Sequence, residues 1–431
     1  MYRKIMTFLD NWRLSEHRKP LILQGARQVG KTYAILEFGR TRYENVAYFN
    51  FETNPKLNET FAENISPDYL IPILSHIAGQ TIVKEKTLIV LDEVQLCERA
   101  LTALKYFCED APDYHIVVAG SLLGVAVNRT QFSFPVGKVD IKTLYPMDLE
   151  EFMLALGEAE LVAQIRQHFQ QNTPMPSALH EIAMQIYRQY LVVGGMPECV
   201  MQFTQTKDYI LVRHTQDMIL QSYLNDMSKY NNLNEIKKTR LVYDNITVQL
   251  SKKNTRFQYK LVKKGGRAAE FENAIEWLTL SGIVSQVYKA EQIRKPLENY
   301  RDIDAFKIYV SDLGLLCTKK DLVANDILYM VEELNDFKGG MTENYVNSQL
   351  IINGYHTYYW ESDRGAEIDF VIQREGRLVP IEVKAADNTR AKSLKIYMDT
   401  YHPDYAIKLS AKNFAYEDNK KIVPLYAAFC I

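Results

Sequence analysis

The stretch Leu21 to Thr32 reads Leu-Ile-Leu-Gln-Gly-Ala-Arg-Gln-Val-Gly-Lys-Thr. Its last eight residues fit the pattern G-x-x-x-x-G-K-[ST] at every fixed position, after an apolar run and before a helical stretch. Glycines let successive backbone N–H groups face inward around an anion, and the helix adds the positive end of its dipole. The stretch therefore predicts a strand, a phosphate-binding loop and a helix.

This loop predicts a nucleotide site that uses ATP and Mg²⁺ as cofactors. In this pattern Lys31 reaches the β- and γ-phosphates, which makes it a predicted catalytic residue, and Thr32 offers its hydroxyl to Mg²⁺. A chance match in a glycine turn is the alternative, which the flanking strand and helix weaken. The predicted cofactor-binding residues are Gly25, Ala26, Arg27, Gln28, Val29, Gly30, Lys31, Thr32 and Tyr33.

A second acidic motif, Leu88-Ile-Val-Leu-Asp-Glu93, ends another apolar run. A run of this kind predicts a buried central strand, so the two carboxylates fall at its carboxyl end. Asp92 is the predicted Mg²⁺ ligand, and Glu93 is the predicted base that polarises the attacking water. The alternative is an acidic N-cap, but two adjacent carboxylates repel each other unless a cation lies nearby.

Two further polar residues are weaker candidates for the same site. Ser121 follows the next apolar run in Ala119-Gly-Ser121, where its hydroxyl could contact the γ-phosphate or the attacking water; a helix-capping serine is the alternative. Lys138 is a candidate for stabilising charge in the transition state, with a solvated lysine as the alternative.

Composition places the chain among ordinary globular proteins. It has 431 residues, 47% of them hydrophobic and 24% charged, with a formal net charge of -2. The balanced charge excludes a polycationic nucleic-acid binder, so any such affinity needs a local patch. Five scattered cysteines and the absence of a membrane-length apolar run lead us to expect a cytoplasmic protein without membrane contact.

Basic residues concentrate between Lys229 and Arg267, where aromatic residues are interspersed. Such interleaving suits contact with DNA phosphates together with stacking on bases. A solvated basic face is the alternative, and Phe257 and Tyr259 are expected to be core residues of a short strand. The aromatic residues are Tyr230, Tyr243, Phe257 and Tyr259.

A predicted hairpin near the C-terminus carries a third group of charges. Residues 366–373 and 378–384 alternate in polarity and flank a turn at Glu375-Gly376, a pairing that places Asp369 directly opposite Glu382. Like charges opposed in this way destabilise a hairpin unless a divalent cation lies between them. Lys384 is placed beside them, and Glu343, on a helix expected to begin at Met341 after Gly339-Gly340, could add another carboxylate.

Six stretches together resemble a family of prokaryotic AAA-type ATP-binding proteins, in which an AAA module is fused to a C-terminal domain long described as of unknown function. In this family an arginine often stands where this chain has Lys138. The resemblance implies an α/β P-loop NTPase with an AAA-type parallel sheet (1–150), a helical lid (151–230), a winged-helix module (231–318) and a restriction-endonuclease-like α/β domain (319–431). The stretches are Gly25–Thr32, Leu91–Gln95, Ala119–Ser121, Tyr190–Glu198, Lys307–Leu315 and Ile381–Lys384.

The C-terminal charges are also similar to the PD-(D/E)xK nuclease superfamily. Carried over, the resemblance makes Glu343, Asp369 and Glu382 metal ligands and Lys384 the catalytic lysine. An inert scaffold that keeps these charges for structure or partner contact is the alternative.

We therefore expect an ATPase whose nucleotide state controls a nuclease-like DNA-binding domain. One alternative is a nucleotide-dependent signalling switch whose C-terminal domain binds a partner without cutting. A DNA translocase is a third possibility; it requires an oligomeric ring and an arginine supplied across subunits.

Overall fold

The computed structural model describes residues 1–120, 134–229, 233–251, 256–385 and 392–431, which form two compact units. The N-terminal unit comprises Tyr2–Tyr145 and Leu280–Gly282, and the C-terminal unit comprises Pro146–Thr279 and Ile283–Ile431. The predicted catalytic residue Ser121 lies outside the described residues, as do Tyr230, Lys252 and Lys253 of the basic segment.

Strands alternate with helices in the N-terminal unit, as expected for the predicted parallel sheet. The five strands described in this unit form a parallel sheet in the order β2-β3-β4-β1-β5, so the carboxyl ends of β1 and β3 lie at the same edge. The elements are α1 (Ile5–Leu14), β1 (Leu21–Gln24), α2 (Lys31–Arg42), β2 (Asn45–Asn50), α3 (Lys56–Glu63), α4 (Pro67–Ala78), β3 (Thr87–Asp92), α5 (Glu98–Asp110), β4 (His115–Gly120) and β5 (Asp140–Thr143).

The continuous apolar runs of β3 and β4 are buried along their whole length. Both faces of these strands must therefore be covered, as expected for a parallel sheet between helices. On one face Ile89 and Val118 pack in a core with Leu104 and Phe107 of α5. This burial fixes the strand end that carries Asp92.

Helices predominate at the start of the C-terminal unit, between Leu149 and Lys229. A capping box between Asp148 and Glu151 begins the first of them. The helices are α6 (Leu149–Ala155), α7 (Ala159–Gln171), α8 (Ser177–Val193), α9 (Pro197–Thr206), α10 (Tyr209–Lys229), α11 (Leu233–Leu250), α12 (Tyr259–Val262), α13 (Ala268–Leu280), α14 (Leu313–Lys319), α15 (Ala324–Leu328), α16 (Asn335–Ile352) and α17 (Lys392–Tyr401).

A mixed sheet of eight strands completes the described part of this unit, in the order β12-β13-β11-β10-β9-β8-β6-β7. Strands on both sides of residue 318 belong to it, and the finer division into lid, winged helix and nuclease-like domain stays a prediction. The strands are β6 (Val284–Ala290), β7 (Arg301–Val310), β8 (Tyr358–Glu361), β9 (Glu367–Arg374), β10 (Arg377–Val383), β11 (Ala406–Ser410), β12 (Ala415–Glu417) and β13 (Lys420–Pro424).

The predicted hairpin register is confirmed for β9 and β10. Arg374 pairs with Arg377 and Phe370 with Ile381 around a turn in which Glu375 and Gly376 have φ values of 49° and 74°. Positive φ at both central residues is the geometry that favours tight hairpins, because its twist matches that of the strands. The face expected to be polar is partly covered, since Glu382 is only 2% exposed.

Two sequence expectations in this unit were wrong. Gly339 and Gly340 lie inside α16 rather than before it. A Cβ on Gly340 would stand 2.1 Å from the Leu250 carbonyl oxygen, so this glycine allows the helix to approach the end of α11. Phe257 is buried as expected, but it lies outside any strand, and Tyr259 begins the short helix α12.

None of the described helices combines the length and the apolar character needed to cross a bilayer.

Candidate functional site

The loop between β1 and α2 is shaped by its two glycines. Gly25 has a φ of 147°, and a Cβ there would lie 2.1 Å from the Leu144 carbonyl oxygen. Gly30 has a φ of 91° and caps α2, and Gln28 also adopts a positive φ of 65°. Because other residues rarely adopt these conformations, the glycines allow the loop to turn tightly at the end of β1.

The side chain of Lys31 lies back along this loop. It is 8% exposed, and its Nζ donates hydrogen bonds of 2.8 Å to the carbonyl oxygens of Gly25 and Ala26. Arg3 supports the same loop, because its guanidinium donates to the carbonyl oxygens of Val29 at 3.0 Å and Tyr145 at 2.8 Å. Sequence reasoning missed Arg3, which no motif marks.

Three donors converge on the carboxylate of Asp92 at the end of β3. The Thr32 hydroxyl and the Tyr48 hydroxyl donate to the same oxygen, Oδ2, at 2.9 and 2.8 Å, while the Glu93 amide donates to Oδ1 at 3.0 Å. Burial raises the pKa of Tyr48 to about 12, so this hydroxyl remains a donor at neutral pH. Tyr48 was also missed, although its place on β2 follows from the strand pattern.

The Thr32 and Asp92 oxygens fit a magnesium site. Hard oxygen donors from a hydroxyl and a carboxylate are the ligands that Mg²⁺ takes beside phosphate groups. Their hydrogen bond places both predicted ligands together at the start of α2. The predicted pair is therefore compatible with the metal.

Glu93 lies directly after this site in an unusual backbone conformation, with a φ of 53°. Burial is the main cause that raises the pKa of its carboxyl above the usual range, and Gln95 donates a hydrogen bond to Oε2. A carboxylate with a raised pKa is a stronger base, as the predicted role requires.

The remaining candidates of this unit occupy its surface. Tyr33 is 61% exposed, and Arg27 is half-buried. The ammonium of Lys138 forms an exposed ion pair with Glu109 at 2.8 Å.

The C-terminal unit brings the predicted hairpin carboxylates close to Lys384. Asp369 Oδ2 accepts a hydrogen bond of 2.7 Å from the Val383 amide. Burial and the neighbouring Glu343 raise the pKa of Asp369 to about 7. Glu382 Oε1 pairs with Lys384 Nζ at 2.8 Å, and Glu382 Oε2 has no hydrogen-bond partner among the residues described.

Glu343 is held by two residues that sequence reasoning did not identify. Its Oε2 accepts a hydrogen bond of 2.9 Å from the Tyr309 hydroxyl and lies 3.5 Å from Lys307 Nζ. Lys307 is 1% exposed and also contacts Glu367. Burial alone would lower the pKa of Lys307, but Glu343 and the other nearby acids outweigh it and raise that pKa well above its usual value.

The predicted three-carboxylate metal site is therefore not assembled as expected. Lys307 and Tyr309 engage Glu343, and within the described ranges no three His, Cys, Asp or Glu side chains are grouped to hold a metal. Asp369 and Glu382 remain candidate ligands, because Glu382 Oε2 has no partner among the described residues and burial raises the pKa of Asp369 above its usual range.

Three parts of the chain match family models. Residues 17–153 match an AAA domain. Residues 184–326 and 338–428 match two models that are each described as a domain of unknown function, DUF8612 and DUF4143. Each match covers less than half of the chain. The first match supports an AAA-type domain in this part of the chain.

Several solved structures are similar at low identity. A Walker-type ATPase of Pyrococcus abyssi is 12% identical, with 74% of this chain and 95% of that chain covered and a TM-score of 0.45. The ORC1 protein of Aeropyrum pernix in complex with DNA is 12% identical, with coverages of 74% and 91% and a TM-score of 0.28. The RuvB Holliday junction branch migration motor of Thermotoga maritima is 14% identical, with coverages of 68% and 88% and a TM-score of 0.28.

These likenesses, at TM-scores below 0.5, carry no assignment of function. No curated protein matches the sequence.

Proposed function

We propose that the AAA domain binds ATP with Mg²⁺ and hydrolyses it. The observation that carries the proposal is the convergence of three groups at the start of α2. These are the glycine loop, the Lys31 ammonium held against that loop, and the Thr32 hydroxyl bonded to Asp92. Such an arrangement offers backbone N–H groups and one ammonium to a triphosphate, with oxygen ligands beside it.

Each residue then has a separate task. Lys31 exchanges its carbonyl partners for phosphate oxygens, and Thr32 and Asp92 would hold Mg²⁺, which neutralises phosphate charge when bound. The Glu93 carboxylate accepts a proton from the attacking water once Gln95 no longer donates its hydrogen bond to that carboxylate. The raised pKa of Glu93 favours that transfer.

Nucleotide binding and hydrolysis by a Lys31→Ala variant test the proposal. We expect ATP affinity to fall at least tenfold and hydrolysis to disappear, because a charge-assisted contact to phosphate is lost. Lys105→Ala is the matched control, since this exposed lysine lies on α5 of the same unit. Undiminished ATP hydrolysis by Lys31→Ala would contradict the assignment.

The C-terminal unit is proposed to act on DNA as a nuclease-like domain controlled by the nucleotide. Support comes from Asp369 and Glu382 on adjacent strands, with Lys384 beside them. In the basic segment, exposed cations that could reach DNA phosphates lie at Lys237, Lys260, Lys264 and Arg267. The order α11, α12, α13, β6, β7 supports the winged-helix assignment, since helices followed by an antiparallel strand pair fit that module.

A partner-binding switch that cuts nothing is the second candidate. The specific observation in its favour is that Lys307 and Lys384 supply positive charge to the acids where the nuclease interpretation needs a metal. In that case ATP binding would change the affinity of the C-terminal unit for a partner. Lys307 and Lys384 would then stabilise the neighbouring carboxylates.

Incubation with branched, single-stranded and duplex DNA in Mg²⁺, with and without ATP, separates the two candidates. The nuclease function predicts cleavage that Glu382→Ala abolishes and that Glu417→Ala, an exposed acid on β12, leaves unchanged. Cleavage by Glu382→Ala equal to that of the unaltered protein would exclude this site. No cleavage by any form would favour the switch.

A further inference from the structure

A cavity of about 580 Å³ opens beside Asp369 in the C-terminal unit. Its charged lining comes from three regions: Arg188 on α8, Lys338 and Glu343 on α16, and Asp369 and Lys384 on β9 and just after β10. The volume is in the range of small-molecule sites. A helix outside the hairpin thus covers the predicted nuclease-like residues and adds a cation to them.

Arg188 differs from the other cations of this cavity. Lys384 pairs with Glu382 at 2.8 Å, and Lys338 donates to the Met330 carbonyl oxygen at 2.6 Å. The Nε of Arg188 is buried and has no hydrogen-bond partner within the described residues. Leaving such a donor unpaired is costly, so a ligand that offers an acceptor at this position would be favoured.

A second unpartnered atom lies in the same region. Glu382 Oε2 is buried and has no hydrogen bond to any residue that the structure describes, and the next two residues, Val383 and Lys384, line the cavity. Because Glu343 and Asp369 also line the cavity, a ligand there would meet the arginine at one place and carboxyl groups at another. A guanidinium prefers phosphate oxygens, whereas carboxyl groups accept hydrogen bonds from hydroxyl or amino groups.

We propose that this cavity binds a nucleoside monophosphate, either free or at the end of a strand, with Arg188 holding the phosphate. A nucleotide presents an anionic group together with hydroxyl and amino donors, and it is of a size that fits the cavity. The proposal depends neither on ATP hydrolysis nor on DNA cleavage. It identifies α8 as part of a binding site that residues 338–428 do not form alone.

Calorimetry on the full chain carrying Lys31→Ala tests the proposal with phosphate binding at the AAA loop weakened. The probes are thymidine, thymidine 5′-monophosphate and a thymidine dinucleotide with a 5′-phosphate. We expect the monophosphate to bind at least tenfold more tightly than thymidine, and Arg188→Met to remove that difference. Stronger binding of the dinucleotide indicates a strand end, and stronger binding of the monophosphate indicates a free nucleotide.

The control is Arg377→Met, because Arg377 is an exposed arginine of the same unit that pairs with Asp404. A purely structural arginine would lower the midpoint of thermal unfolding when replaced. Arg188→Met should leave the midpoint unchanged or raise it, since it removes a buried unpaired donor. Equal affinity for thymidine and its monophosphate, unchanged binding by Arg188→Met, or a lowered midpoint in that variant would each overturn the proposal.

Discussion

The two acidic sites of this molecule balance their charge in different ways. In the AAA domain the Asp92 carboxylate is satisfied by neutral donors, the hydroxyls of Thr32 and Tyr48 and the amide of Glu93. In the C-terminal unit the carboxylates meet two ammonium groups, Lys307 and Lys384.

The difference teaches what each site can accept without rearrangement. Neutral donors leave the full negative charge of Asp92 for an incoming cation, so binding Mg²⁺ requires no cation to be displaced. The buried Lys307 and the half-buried Lys384 already neutralise part of the charge on Glu343, Glu367 and Glu382, and a metal would have to compete with them. We therefore expect Mg²⁺ to bind more tightly beside Asp92 than at the C-terminal carboxylates.

The largest expected effect concerns the loop on which the first site depends. Gly25→Ala would place a Cβ 2.1 Å from the Leu144 carbonyl oxygen at a φ of 147°. We expect a loss of about 3 kcal/mol or more in the free energy of unfolding and loss of ATP binding. Chemical denaturation and nucleotide titration measure both.

Gly79→Ala is the matched control, because Gly79 has a φ of 65° but open space around its missing Cβ. There only the backbone conformation is unfavourable, at a cost of about 1–2 kcal/mol. If Gly25→Ala lowers the free energy of unfolding by no more than this control does, close packing against Leu144 does not determine the conformation of the loop.

The next prediction tests whether the second site lacks positive charge. The pKa of Asp369 in the folded protein is about 7, above the unfolded value of about 3.9. Between these values the folded state binds more protons, so this group lowers stability as the pH rises from about 4 to 7. Asp369→Asn should therefore stabilise the protein at pH 8. We expect a gain of about 1–3 kcal/mol, less than the full pKa difference implies, because Asp369 is only half-buried.

This gain in stability should largely vanish near pH 4, where Asp369 in the folded protein is protonated and therefore neutral, as is the asparagine of the variant. Denaturation at several pH values measures the difference. Asp363→Asn, at an exposed position, is the control. A destabilised Asp369→Asn protein at pH 8 would mean that Lys307 and Lys384 already compensate the charge in full, which would favour the metal-free switch.

Sequence reasoning succeeded where local patterns decide the structure. The apolar run and glycines of residues 21–32 are contiguous, and the hairpin register follows from a two-residue turn with glycine at its second position. It failed where distant residues meet. Lys307 lies 36 positions from Glu343, Tyr48 lies 44 positions from Asp92, and no local pattern selects these partners. The placement of Gly340 inside α16 depends in the same way on contact with Leu250.

A smaller effect is expected at the hydroxyl that sequence reasoning missed. Tyr48→Phe removes one of the two donors to Asp92 Oδ2 while Thr32 keeps the other. Because Asp92 would be less well oriented, we expect the Mg²⁺ concentration for half-maximal hydrolysis to rise about three- to tenfold. ATP affinity without metal should be unchanged. Tyr114→Phe, elsewhere in this unit, is the control, and an unchanged Mg²⁺ requirement would show that Thr32 alone orients the acid.

The smallest effect is expected at Lys138, the remaining candidate for a transition-state cation. Its ion pair with Glu109 is 2.8 Å long, but the two side chains are 42% and 35% exposed, and exposed pairs contribute about 0–1 kcal/mol. Lys138→Ala should therefore leave hydrolysis unchanged and alter stability by at most that amount, as should Glu109→Gln. If Lys138→Ala slows hydrolysis while ATP binding persists and Glu109→Gln has no effect, Lys138 leaves its partner to reach the phosphates. The AAA site would then draw on a charged side chain as the C-terminal site does, and the contrast between the two would narrow.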